Sequence, residues 1–184
     1  MNFNQHYALT GKHALLGASQ HAWLNYTPEK MQTTYFNMLK KEKGTELHAL
    51  ASSCIVNRIK VASLKKALNL FINDAIGFRM DSEVILYYSD NCFGTADAIK
   101  FEDGELRIHD LKTGERPVTN FGQLDIYAAL FCLEYSVDPK QISIVERLYQ
   151  GREWHESQPD AVDIASIMEK IKEFDALVDE LKQQ

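Results

Sequence analysis

Gly94-Thr95-Ala96-Asp97-Ala98-Ile99-Lys100-Phe101-Glu102-Asp103-Gly104-Glu105-Leu106-Arg107-Ile108-His109-Asp110-Leu111-Lys112 is the stretch on which the fold turns. Two runs rich in β-branched and aromatic residues flank Asp103-Gly104, a dipeptide favoured in two-residue hairpin turns because both positions need positive φ. With those two as the loop, Glu102 pairs with Glu105. Moving outward, Phe101 opposes Leu106, Ile99 opposes Ile108, Asp97 opposes Asp110 and Thr95 opposes Lys112. Side-chain alternation puts all eight on one sheet face. Two apolar pairs mark that face as core-facing, yet it ends in two carboxylates and a lysine.

Directly opposed residues have Cβ atoms roughly 4.5–5.5 Å apart, where like charges destabilise a sheet. Two half-buried carboxylates so placed either share a proton or are bridged by a cation. Lys112, two residues beyond Asp110, disfavours the shared proton. Hard oxygen ligands suit Mg²⁺ or Mn²⁺. The plainer alternative is an Asp110–Lys112 surface pair at the sheet end.

Upstream of this hairpin the apolar spacing is helical. Ser19 is a candidate cap for a short helix carrying Ala22, Trp23 and Leu24, and Pro28 opens a helix to about Lys41. Gly44 is expected to interrupt. Thr45 then caps a helix to about Ile59, and Leu64, Leu68, Phe71, Ile72 and Ala75 mark another. After Gly77 the period changes to strand, with Val84 to Tyr88 preceding the hairpin. Downstream, Phe121 to Tyr135 is helical, Ile142 to Leu148 a strand, and Asp160 to Leu181 an amphipathic helix. The order αα-βββ-α-β-α predicts an α/β (α+β) fold, a central mixed sheet flanked by helices. One domain is expected over residues 1–184, comprising helices over 13–76, sheet and helix over 80–150, and a closing helix over 160–182. In that last helix Ile164, Ile167, Ile171, Phe174, Val178 and Leu181 form a stripe expected to pack intramolecularly, with its acids turned to solvent.

The 184 residues carry 20 Lys+Arg and 26 Asp+Glu, a net charge of −6. Nine acids and three lysines lie after Arg152, leaving 17 of each sign elsewhere. Lys30 to Lys66 holds eight bases against Glu42 and Glu46, a local surplus that would attract a phosphate backbone if it forms one face. Cys54, Cys92 and Cys132 are too scattered for a disulfide framework and read as small buried hydrophobes. With no apolar run near the roughly 20 residues that span a bilayer, and no signal-like N-terminus, a soluble, cytoplasmic protein without a membrane partner is expected.

Gly94-Thr95-Ala96-Asp97, Asp110-Leu111-Lys112-Thr113-Gly114 and Gln123-x-x-x-Tyr127, with Gly44-Thr45-Glu46-Leu47-His48 upstream, resemble the PD-(D/E)XK nucleases. The likeness is to the branch holding the RecB nuclease domain and the CRISPR-associated adaptation exonucleases. His13-Ala14-Leu15-Leu16 through Trp23-Leu24-Asn25 resembles the start of uncharacterised phage proteins of that branch, and the likeness extends from about His13 to Tyr149. It implies a restriction-endonuclease-like core and, for a phage protein, the cytoplasm of a bacterial host. It also implies a metal-dependent DNA exonuclease of recombination or repair that leaves 5′-phosphates.

By this resemblance Asp97, Asp110 and Lys112 are catalytic, and His48, Asp97, Asp110 and the Leu111 carbonyl hold Mg²⁺ or Mn²⁺. Gln123 and Tyr127, four apart on a helix, line the active site. Many relatives hold an iron–sulfur cluster, but Tyr26-Thr27-Pro28 lacks its N-terminal cysteine and none follows Cys132, so no cluster is expected. The partners implied are DNA, single-stranded or at duplex ends, and a single-strand annealing or binding protein. A structure-selective endonuclease of the junction-resolvase kind would use the same residues, and a non-catalytic nucleic-acid-binding module would use the same fold.

Overall fold

The computed structural model describes residues 14–16, 18–62 and 66–183. His13, Leu64 and Lys65, all used above, lie outside that set. The chain divides into two compact units, Met1–Lys43 and Gly44–Gln184. In the first, Ala18–Asn25 forms a 3₁₀ segment, and Pro28 opens α1 (Pro28–Val56) at a position where its missing N–H is no loss.

α1 is one helix, not the two expected on either side of Gly44. A helical glycine costs only about 1 kcal/mol relative to alanine, and the good helix formers around it carry the helix through. Gly44 is buried, and a Cβ there would stand 2.9 Å from Thr113 Oγ1. The glycine is needed for close approach. The bases of Lys30 to Lys66 are split between the units, with Lys30, Lys40, Lys41 and Lys43 in the first and Arg58, Lys60 and Lys66 in the second.

The second unit is an α+β layer structure around a five-stranded mixed sheet of order β1-β2-β3-β4-β5. α2 (Ala67–Gly77) precedes β1 (Asp81–Ser89), β2 (Cys92–Glu102) and β3 (Glu105–Lys112). α3 (Gly122–Glu134) crosses over to β4 (Ser143–Gln150), followed by β5 (Glu153–Ser157) and α4 (Ala161–Lys182). β3 and β4 are parallel, which is why a helix must connect them; the other neighbours are antiparallel. The Asp103-Gly104 turn forms as predicted, with φ of +52° and +79°. β5 was not anticipated. It is a short edge strand whose residues are nearly all exposed, so it lacks the apolar alternation that announces a strand.

Both sheet faces are covered. On one, Ile99, Leu106, Ile108, Ile144 and Leu148 pack against Leu124, Ala128 and Phe131 of α3 and Ile164 of α4. On the other, Ala98, Leu111 and Tyr149 meet Ala51 and Ile55 of α1 and Phe71, Ile72 and Ala75 of α2. α4 docks through the first half of its stripe, where Ile164 is buried and Ile167 and Ile171 are partly buried, while Phe174, Val178 and Leu181 remain exposed. Its acids do not all face solvent. Asp175 accepts hydrogen bonds from Ser89 Oγ and Asn91 Nδ2, and Asp179 accepts a second from Asn91 Nδ2, clipping the helix to the β1–β2 turn.

Candidate active site

β2 and β3 stay paired from the turn only as far as Ala98 and His109. The expected pairs Asp97–Asp110 and Thr95–Lys112 do not form. Thr95 keeps Ile85 of β1 as its partner, and the Leu111 N–H donates to Asp97 Oδ2 at 2.8 Å. A side-chain carboxylate takes a donor that a ladder carbonyl would otherwise accept, and the strands part around it.

The single face expected for these residues is broken as well. Ala96 and Ile99, three apart, both belong to the cluster under α3, with Ala98 between them in the opposite cluster. Strict alternation therefore slips at Asp97. Its carboxylate meets α1, whereas Lys112 meets α3.

On the α1 side, His48 Nδ1 lies 3.3 Å from Asp97 Oδ1. This contact with Asp97 raises the imidazole pKa against the opposing effect of partial burial. Glu83 of β1 completes the group: one ligand atom each from His48, Glu83 and Asp97 lie within 4.8 Å of one another. Desolvation first and the Asp97 charge second raise the Glu83 pKa. Glu83 also adopts φ +55° in mid-strand, a left-handed conformation that costs a non-glycine residue on the order of 1–3 kcal/mol.

On the α3 side, Asp110 is buried, and desolvation followed by the Asp97 charge raises its pKa. Lys112 Nζ stands 2.9 Å from Asp110 Oδ2, an ion-pair contact that falls short of a well-directed hydrogen bond. The same ammonium donates to Gln123 Oε1 at 2.6 Å, and Gln123 Nε2 donates to the Tyr127 hydroxyl at 2.9 Å. The Tyr127 ring lies so close to β2 that a Cβ at Gly94 would stand 2.8 Å from its Cε1. Gly94 and Tyr127, from two of the quoted motifs, are therefore packed together.

His48, Asp97, Asp110, Lys112, Gln123 and Tyr127 thus gather where β2 and β3 part. Asp110 falls outside the 4.8 Å ligand group and instead engages Lys112. Leu111 is buried, and the contact it brings to the group is its N–H on Asp97.

Sequence reasoning missed Glu83. A two-residue Asp90-Asn91 turn, with Ser89 opposite Cys92, would carry Glu83 level with Ala98. The irregularity between Tyr87 and Ser89 shifts the register by one, so that Glu83 falls between the pairs Ser82–Ala98 and Val84–Ala96, level with Asp97. Nothing in the local sequence announces such a shift.

No family model, curated protein or solved structure matches the chain. What defines it is an α+β fold with a mixed sheet, carrying a His–Glu–Asp group beside an Asp–Lys pair. Among the described residues no helix is long and apolar enough to cross a membrane.

Proposed function

We propose that this protein is a Mg²⁺- or Mn²⁺-dependent DNA nuclease of the PD-(D/E)XK kind, a phage-type exonuclease of recombination or repair that leaves 5′-phosphates. The observation that carries this reading is the junction of β2 and β3, where His48, Glu83 and Asp97 face one another with the Asp110–Lys112 pair beside them.

The donor set fits a divalent cation. Glu83 and Asp110 are held above their ordinary pKa by burial and by the Asp97 charge, so a positive ion beside them would relieve both. Oxygen donors with one imidazole suit Mn²⁺ as well as Mg²⁺. His48, Glu83 and Asp97 would hold the ion, with Asp110 and the Leu111 carbonyl as the further ligands the resemblance suggests. A bound cation supplies Lewis-acid polarisation of the phosphate and acidifies water.

The chain's own residues do the rest. Lys112, fixed between Asp110 and Gln123, places an ammonium where it can orient the attacking water and stabilise the negative charge that develops on the phosphate. Gln123, steadied by Tyr127, keeps the Lys112 side chain from collapsing wholly onto Asp110. Water adds to phosphorus and the P–O3′ bond breaks. The 3′-oxygen leaves with a proton, giving a 3′-hydroxyl and a 5′-phosphate.

The test is incubation of end-labelled linear DNA and of circular DNA with Mg²⁺, Mn²⁺ or EDTA. Degradation of the linear substrate alone, abolished by EDTA and leaving 5′-phosphates, is the expected result. Cutting of the circle would move the reading to a structure-selective endonuclease. Binding without cleavage under every cation would leave a nucleic-acid-binding module.

A further inference from the structure

We infer that the outer face of the β1–β2 hairpin, carrying Tyr87 and Phe93, is a stacking platform for unpaired bases of single-stranded DNA leading to the His48–Glu83–Asp97 group. This rests on the nuclease reading of that group.

Three rows of residues share this face, since the residues between them, Val84, Leu86, Gly94 and Ala96, turn to the opposite side, toward α3. Glu83 and Asp97 form the first, Ile85 and Thr95 the second, and Tyr87 and Phe93 the third, with the last two rows directly paired across the strands. Four residues at about 3.3 Å each separate the first row from the third by about 13 Å, within reach of a short extended oligonucleotide. α1 and α2 cover the sheet around Ala98, Leu111 and Tyr149 but leave this end open. Ile85 is 61%, Tyr87 44% and Phe93 62% exposed.

Single exposed apolar residues are ordinary, but an exposed apolar row in register with a charged site is not. Neither ring stacks on another aromatic, or lies under a cation, among the described residues. The Tyr87 hydroxyl donates to Asp90 Oδ1 at 2.9 Å, which steadies the ring and leaves its face free. That carboxylate would repel a phosphate, so contact there is with bases rather than backbone. Stacking on an aromatic ring requires an open base face, which a duplex keeps covered. The platform therefore selects single strands.

The test compares the full-length protein with Phe93→Ala, Tyr87→Ala and Phe93→Trp. Fluorescence anisotropy in EDTA reads the affinity for a labelled single-stranded oligothymidylate and for a blunt DNA hairpin closed by a non-nucleotide linker, which has no unpaired base. Cleavage of the same strands is followed in Mn²⁺, and melting curves check the fold. Each alanine variant should weaken single-strand binding by about ten- to a hundredfold, the range of aromatic–base stacking, with hairpin binding unchanged and Phe93→Trp restoring affinity. Unchanged single-strand affinity in both alanine variants, or an equal loss on the hairpin, overturns the platform. If wild-type protein still cleaves DNA in that case, the nuclease reading survives. Ring-dependent binding by a protein that never cleaves upholds the platform and removes the nuclease.

Discussion

Asp110 and Glu146 are buried carboxylates on neighbouring parallel strands, two rows apart, since Asp110 pairs with Leu148 and Ile108 with Glu146. Their surroundings differ sharply. Asp110 sits at the strand end with Lys112 against it and Asp97 and His48 close enough to alter its titration. Glu146 lies under α3 and α4 beside Asp125, with no lysine, arginine or histidine paired to it among the described residues, and burial first and the Asp125 charge second push its pKa up to about 8. A buried acid without a compensating cation keeps its proton; one beside a lysine and an imidazole can serve as charged machinery. Burial alone does not mark a site. The partners do.

The largest effect expected from this contrast is at Asp110. Asp110→Asn should lower Mn²⁺-dependent DNA cleavage by a factor on the order of 10³ while leaving the melting temperature within a few degrees, because the change removes a charge from a buried position without altering its volume. An equal activity loss in Glu146→Gln would erase the distinction between the two acids. Next is Lys112→Met, expected to cost about 10² to 10³ in cleavage rate, the range for losing one group that stabilises developing negative charge. It also removes the cation that lowers the Asp110 pKa, so the acidic limb of the pH–rate profile should move to higher pH. A parallel profile with an unmoved limb would show that Lys112 does not act on Asp110.

The smallest effect, and the one that reads stability alone, is Glu146→Gln. Because the folded state holds this proton with a pKa raised from 4.5 to about 8, wild-type stability falls as pH rises between those values and levels off above the upper one. The loss is at most about 5 kcal/mol, and water entry on ionisation would reduce it. The variant should match wild type near pH 5, where both side chains are neutral, and melt several degrees higher near pH 9. Identical melting curves across the range would show that Glu146 gains its charge without penalty.

Some of this was legible because it is local. The Asp103-Gly104 turn depends on two residues that accept positive φ, and the register holds for as long as backbone pairing holds, down to Ala98 and His109. The helix α3, the strand β4 and the start of α4 at Asp160, whose Oδ1 accepts from the Val162 N–H, follow from apolar periodicity. Gly44 misled because its missing side chain answers to Thr113, which is distant in sequence and adjacent in space. β5 was hidden because an exposed edge strand needs no apolar pattern.

The sequence by itself determined the residue types of the site and the elements that carry them, since turn chemistry and hydrophobic period act over a few neighbouring residues. Only the tertiary structure decided how those residues meet. The carboxylate of Asp97 captures the Leu111 N–H and parts two strands, turning an expected opposed pair into a wedge open to α1 on one side and α3 on the other. The shift in β1 that brings Glu83 level with Asp97, at the cost of a left-handed backbone, likewise depends on pairing with β2 rather than on the residues around it. Register and strand separation are set by which distant groups satisfy each backbone donor, and the linear order of residues does not contain that information.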